Sequence, residues 1–198
     1  MFLDPHKELR KTGRDIPHWE QGEVMQFVTF RLADSLPKSK IEDWMSKREA
    51  WLRTNPEPWT PEQTDRYHLE FTDRFERWLD AGHGSCLLKD PANREILAET
   101  LMRFQGDRVI HHSWVIMPNH AHLLFTPKAP LADFIKAWKG VSARRIGKGS
   151  IWQSNYRDTL IRNASHFVNA ARYIRRNSKG LQNDSFTLWE GERVRRIQ

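Results

Sequence analysis

Twelve residues constrain this chain's fold more than any others: Trp114-Val115-Ile116-Met117-Pro118-Asn119-His120-Ala121-His122-Leu123-Leu124-Phe125. Apolar residues run up to Pro118-Asn119 and resume after it, the pattern of two strands joined by a tight turn. Side chains two apart on a strand share a face. His120 and His122 therefore point to one side, and Ala121, Leu123 and Phe125 to the other. Two imidazoles side by side on a rigid strand can hold one metal ion. The spacing alone fits accidental surface polarity as well.

The 198 residues suit one domain, or one domain with an insertion. Nine tryptophans and ten phenylalanines provide large side chains for a core. The formal net charge of +7 favours an anionic partner, nucleic acid first. A lone cysteine, Cys86, excludes an intramolecular disulfide and a cysteine-based zinc cluster and fits a reducing compartment. The N-terminus lacks the apolar run of a signal peptide, and no stretch is long and apolar enough to span a bilayer. The expectation is a cytoplasmic, nucleoid-associated protein without membrane contact.

In chain order, residues 1–20 read as a polar arm interrupted by Pro5, Gly13 and Pro17, with Arg10, Lys11 and Arg14 as cations. Val24 to Leu32 is rich in β-formers and reads as a first strand. A helical region follows: one helix from the capping-box spacing Ser39-Lys40-Ile41-Glu42, a second opened by Thr60-Pro61 and ended by Gly82 and Gly84, and a third opened by Asp90-Pro91. Strands are expected over 107–117 and 120–126, a helix over 131–146, a strand over 151–162, and a last helix from the Asn163-Ala164-Ser165 cap to about Asn177, stopped near Gly180. The tail, 181–198, reads as polar. This order implies an α+β fold, a compact antiparallel sheet with helices on one face. Residues 38–106 exceed what one crossover needs and read as a helical insertion within a single 1–198 domain.

Chemistry at a metal held by His120 and His122 needs further groups. Of three tyrosines, Tyr67 falls in the insertion. Tyr156 falls on the fourth strand, where alternation brings Asp158 to its face as an accessory acid. Tyr173 falls on the last helix, one turn before Asn177 on the same face, beside the apolar stripe Phe167, Ala171 and Ile174. A helix docked by that stripe would carry Tyr173 and Asn177 together to the edge of the sheet. The pattern equally fits a tyrosine that merely packs at a helix flank. His111 and His112 are adjacent and point to opposite faces, so at most one could approach the metal. His83 and Cys86 make a weak zinc pair.

Met117-Pro118-Asn119-His120-Ala121-His122-Leu123-Leu124 resembles the His-hydrophobic-His motif of the single-tyrosine transposases, the IS200/IS605-like enzymes and their REP-associated relatives. Tyr173 and Asn177 match that family's nucleophile and the amide residue four positions later. Trp152 to Arg162 looks like its segment before the last helix, and Ile135 to Arg145 like its basic helix. The resemblance implies the ferredoxin-like sheet of HUH nucleases. It also implies Tyr173 as nucleophile, a site formed by His120, His122 and Asn177 for Mg2+ or Mn2+, and single-stranded or hairpin DNA of REP type as substrate. Cleavage would leave a 5′-phosphotyrosine and a free 3′-hydroxyl, and a monomer is favoured over a dimer. Candidate phosphate contacts are Lys136, Lys139, Arg144, Arg145, Arg162, Arg172, Arg175 and Arg176. Two other readings stay open: a domesticated, non-catalytic hairpin binder, and a metal-dependent RNA endonuclease that needs no tyrosine.

Overall fold

A computed structural model describes residues 1–12, 18–179 and 181–198. Gly13, Arg14, Pro17 and Gly180, singled out above, lie outside the described residues. The central hairpin forms as the alternation requires. β4 (Val109–Ile116) and β5 (His120–Pro127) pair antiparallel, Val115 opposite His122 and Ile116 opposite Ala121. The Met117 N–H donates to the His120 carbonyl at 2.8 Å and closes the turn. β3 (Gln26–Arg31) pairs with the other edge of β5, placing Thr29 opposite His122 and Arg31 opposite His120. β6 (Arg157–Leu160) pairs antiparallel with β3, Arg157 opposite Thr29.

β6-β3-β5-β4 is the ferredoxin-like strand order, and all four strands are antiparallel to their neighbours. β7 (Thr187–Glu190) adds a fifth strand outside β4, with Trp189 stacked on Trp114. The stretch expected as a polar tail therefore closes the sheet. Its four-residue helix α7 (Glu192–Arg195) buries Val194. The N-terminal arm is also structured. β1 (Arg10–Thr12) pairs with β2 (His18–Glu20), and the Met25 N–H donates to the Met1 carbonyl at 2.9 Å.

Helices cover both faces of the sheet, a correction to the one-face expectation. α4 (Pro91–Met102) and α5 (Leu131–Ile146) pack through Leu97, Leu101, Phe134 and Trp138 on the face of Val28, Phe30, Leu123 and Phe125. α6 (Ala164–Asn177) packs through Phe167, Ala170, Ala171 and Ile174 on Met25, Val115 and Leu124, the face to which His120 and His122 belong. Asn163 Oδ1 accepts from the His166 N–H at 2.8 Å and caps α6.

The region 38–106, expected as one insertion, divides physically. α4 belongs to the sheet's own packing. α1 (Lys38–Thr54), α2 (Pro61–Tyr67), a π-helical turn (68–72) and α3 (Asp73–Asp80) gather around Trp44, Trp51, Trp59, Phe71 and Phe75. α1 starts at Lys38 after Pro37 without a side-chain cap, so the expected capping box does not form there. The reciprocal box forms instead at α2, between Thr60 and Gln63. Among the described residues, no helix is long and apolar enough to cross a membrane.

Candidate active site

His120 and His122 lie side by side on β5, each 0 % exposed. Their Nε2 atoms face each other at 3.0 Å. Burial holds the His120 imidazolium form off, with its pKa pushed down to about 3. His122 is pushed well down by the same burial, then by the charges of His120 and Arg157. Both rings are therefore neutral at physiological pH, the form in which imidazole offers a lone pair.

Outer partners fix which nitrogen offers it. The Asn119 amide nitrogen donates to the carbonyls of Leu79 and His83, each at 3.1 Å. Its oxygen is thereby turned to His120 Nδ1, at 2.7 Å. Nδ1 must carry the proton, and the His120 lone pair stands on Nε2. Thr29 Oγ1 lies 2.7 Å from His122 Nδ1. When the hydroxyl donates, the His122 proton sits on Nε2 and bridges to His120. When it accepts, Nδ1 is protonated and both Nε2 lone pairs point into one space. The threonine rotor thus lets His122 carry its proton on either nitrogen, and with it on Nδ1 the space between the two Nε2 atoms is open to a cation. An octahedral ion with bonds of about 2.1 Å holds neighbouring donors about 3.0 Å apart, so the pair fits one edge of such a shell.

The pair sits between α6 and α3. On the α6 side, the Tyr173 ring meets His122 edge-on with centroids 5.2 Å apart, and meets Phe27 at 5.7 Å. Tyr173 therefore lies over the central strands rather than at the sheet's edge. On the α3 side, Asp80 Oδ1 is 3.8 Å from His120 Nε2, and the Arg31 and Arg157 guanidiniums each sit 5.7 Å from the Phe75 ring centroid. Arg157, Thr29 and His122 line up across three strands on one face.

Asn177 Nδ2 donates to the Tyr173 carbonyl at 2.9 Å, and among the described residues no hydrogen bond joins Asn177 to either histidine. No group of three or more His, Cys, Asp or Glu side chains among the described residues is arranged to hold a metal ion.

Tyr156 belongs to the opposite face, in the α4–α5 core. It stacks on His18 with ring centroids 3.9 Å apart, and His18 Nδ1 is 2.5 Å from Asp158 Oδ1. Burial, then the charges of Asp158 and Glu20, push the Tyr156 phenol far up. Tyr156 and Asp158 do share a face, as alternation requires, but the sheet separates it from the histidine pair. His111 and His112 are also built into packing, bonded to the Leu101 carbonyl at 3.0 Å and to Thr126 Oγ1 at 2.8 Å.

The cations divide in the same way. Lys136, Lys139, Arg144 and Arg145 are on α5, across the sheet from the histidines. Lys139 is unsuited to phosphate: its ammonium donates to the Gln153, Ser154 and Asn155 carbonyls at 2.8, 3.2 and 2.9 Å, which uses all three protons. Arg145 pairs with Glu99. Arg175 clamps Glu190 and the carbonyls of Val194 and Ile197, and Arg172 holds the Gln198 carbonyl. Lys136, Arg144, Arg162 and Arg176 are exposed.

Sequence reasoning passed over Asn119, Thr29, Arg157 and Asp80. The turn asparagine beside the first histidine was a visible signal, and so was a threonine inside an apolar strand. The other two depend on strand register and on how α3 docks.

A curated relative, the ISDra2 transposase TnpA of Deinococcus radiodurans, is 33 % identical over 103 residues, covering 46 % of this chain and 68 % of that protein. The chain belongs to the tyrosine transposase family. Its role is of the transposase, DNA-processing type. A REP-associated tyrosine transposase of Escherichia coli K12 is 25 % identical over 84 residues, 40 % of this chain and 51 % of that protein. A solved REP-associated tyrosine transposase bound to a REP hairpin superposes over 91 % of this chain and 93 % of its own, with 14 % identity and a TM-score of 0.46. No family model matches the chain.

Proposed function

We propose that this transposase cuts and rejoins single-stranded DNA at a REP-type hairpin through a covalent bond to Tyr173, with a divalent cation at His120 and His122. One observation carries the reading. The only tyrosine ring in contact with the histidine pair, among the described residues, is that of Tyr173, 5.2 Å from His122. The donor set fits Mn2+ or Mg2+ completed by oxygen ligands. When bound, such an ion polarises a phosphate oxygen and stabilises charge in the transition state.

Each side chain then has a task. The Tyr173 oxygen attacks phosphorus, and the P–O bond to the 3′ oxygen breaks. The phenol proton is lost, the departing oxygen takes one up as a 3′-hydroxyl, and the 5′ phosphate stays on the tyrosine. The stored ester bond lets another 3′-hydroxyl reverse the step. Arg157 is on the histidine face, where a guanidinium can take two phosphate oxygens together. Asn119 and Thr29 orient the two imidazoles. The exposed Arg162 and Arg176, on the α6 side, extend the positive path for DNA, while Lys136 and Arg144 serve a separate contact across the sheet. A monomer carries all the groups named.

The test is a denaturing gel of labelled hairpin DNA with the protein and Mn2+. Wild type gives a shifted covalent band. His120→Ala/His122→Ala and Tyr173→Phe each lose it while still binding the hairpin. A covalent band of wild-type strength from the double histidine variant contradicts the metal role.

A further inference from the structure

The histidine face is covered in the DNA-free chain. His120 and His122 are each 0 % exposed, and Arg31, opposite His120 in the β3–β5 register, is 4 % exposed. A DNA phosphate that reaches this face must displace what covers it. α6 lays Tyr173 on the face, and is built into a sheet core through Phe167, Ala170, Ala171 and Ile174. α3 approaches from the other side with Phe75, Leu79 and Asp80. Phe75 and Leu79 join Leu36 in a third apolar cluster, distinct from both sheet cores, on which Ile41, Trp44 and Trp78 also pack. The helices of residues 38–80 therefore keep their own apolar contacts if they move together. They meet the rest of the chain at one neck, where the Ser85 N–H donates to Asp34 Oδ2 at 2.7 Å. A body joined at one neck pivots at lower cost than a helix leaves a packed core.

The Phe75 ring centroid lies 5.7 Å from the guanidinium of Arg31 and 5.7 Å from that of Arg157. Arg31 donates to Ser35 Oγ at 2.9 Å and to the Leu32 carbonyl at 3.4 Å, and among the described residues it forms no ion pair. A π face holds a guanidinium less strongly than a charge-assisted bond to phosphate. DNA can therefore replace Phe75 at both cations.

We infer that α3 is a gate over the histidine face: Phe75 takes the place of DNA phosphates at Arg31 and Arg157, and the strand enters as the helices of residues 38–80 swing away on their neck. This rests on the reading above that DNA is cut on this face. It makes Arg31 a phosphate contact of the open state, and it makes association slower than the basic charge of the chain would allow.

Distances between paired spin labels on the full chain test the swing. Ser46→Cys on α1 is paired in turn with Asp133→Cys on α5 and with Glu192→Cys on α7, so that movement in any direction changes one distance. The background is Cys86→Ser and Tyr173→Phe with Mg2+, in which hairpin DNA with a single-stranded extension binds without being joined. Bound DNA should shift at least one distance by about 5 Å or more, the scale of a segment moving past its neighbour. Both distances unchanged on DNA binding overturn the gate. In a second measurement, Phe75→Leu keeps the apolar bulk and removes the π face. It should speed hairpin association by about threefold or more, with thermal unfolding close to wild type. Association at the wild-type rate or slower in a folded Phe75→Leu protein also overturns the gate; if that variant does not fold, the distances decide. A covalent band that survives His120→Ala/His122→Ala removes the reading on which the inference rests. A band lost in that variant, with both distances unchanged, overturns the gate alone.

Discussion

At the scale of single residues, the site depends on which nitrogen carries each proton. Asn119 decides this for His120 by spending its two N–H groups on Leu79 and His83 and its oxygen on Nδ1. Asn119→Ala removes all three bonds; the Leu79 carbonyl keeps the Gly82 N–H at 3.1 Å, but the buried His120 Nδ1–H is left without its partner, at a cost of about 1–3 kcal/mol if water does not replace it. The expected result is a clear drop in the urea midpoint. Mn2+ affinity should fall by about 10–100-fold, the usual effect of losing a partner of a metal-bound histidine. Unchanged Mn2+ affinity in a folded Asn119→Ala protein would show that His120 needs no orientation. The histidine pair was legible because alternation on one strand is a local rule. The tasks of Asn119 and Thr29 were not, because they arise from a contact to Leu79, forty positions earlier, and from the β3–β5 register.

At the scale of elements, the sheet's four ferredoxin-like strands and the helices α5 and α6 follow from local patterns: apolar runs, the Asn163 cap and the Pro118-Asn119 turn. β7 was missed because Thr187 to Glu190 is short and part polar. Yet Phe186 and Leu188 pack on one core while Trp189 packs on the other, which is strand alternation. The docking of α3 was not legible either. It depends on a loop in which Gly84 has φ +88° and a Cβ would stand 2.4 Å from the Asp34 carbonyl oxygen. Gly84→Ala should cost about 1–3 kcal/mol in backbone strain and shift the segment that carries Leu79, Asp80 and His83. Thermal unfolding should report the lost stability, and the covalent band should weaken with it. Wild-type values for both would show that α3 is positioned independently of this loop.

At the scale of the whole molecule, buried neutral histidines tie stability to pH. Burial pushes His111 and His112 each down to about 4. An unfolded histidine titrates near 6.5. Between those values the unfolded chain binds protons that the folded chain refuses, so acidification favours unfolding. Above about 6.5 neither state binds them, and their contribution is constant. As pH falls from about 6.5 towards 4, stability should drop by up to about 1.4 kcal/mol per pH unit for each histidine. Urea midpoints at pH 8, 6.5 and 5 should show little change over the first interval and a fall over the second. Stability that rises on acidification below pH 6.5 would contradict the burial of these rings.

The two faces of the sheet carry different chemistry: Tyr156, His18 and Asp158 on one, Tyr173, His122 and His120 on the other. Mass mapping of the peptide cross-linked to DNA distinguishes them directly. Trapping the complex of wild-type protein, hairpin DNA and Mn2+, then digesting both components, should leave the nucleotide mass on the peptide containing Tyr173. The same mass on the peptide containing Tyr156 would place the reaction on the other side of the sheet and contradict the histidine face as the site of cleavage.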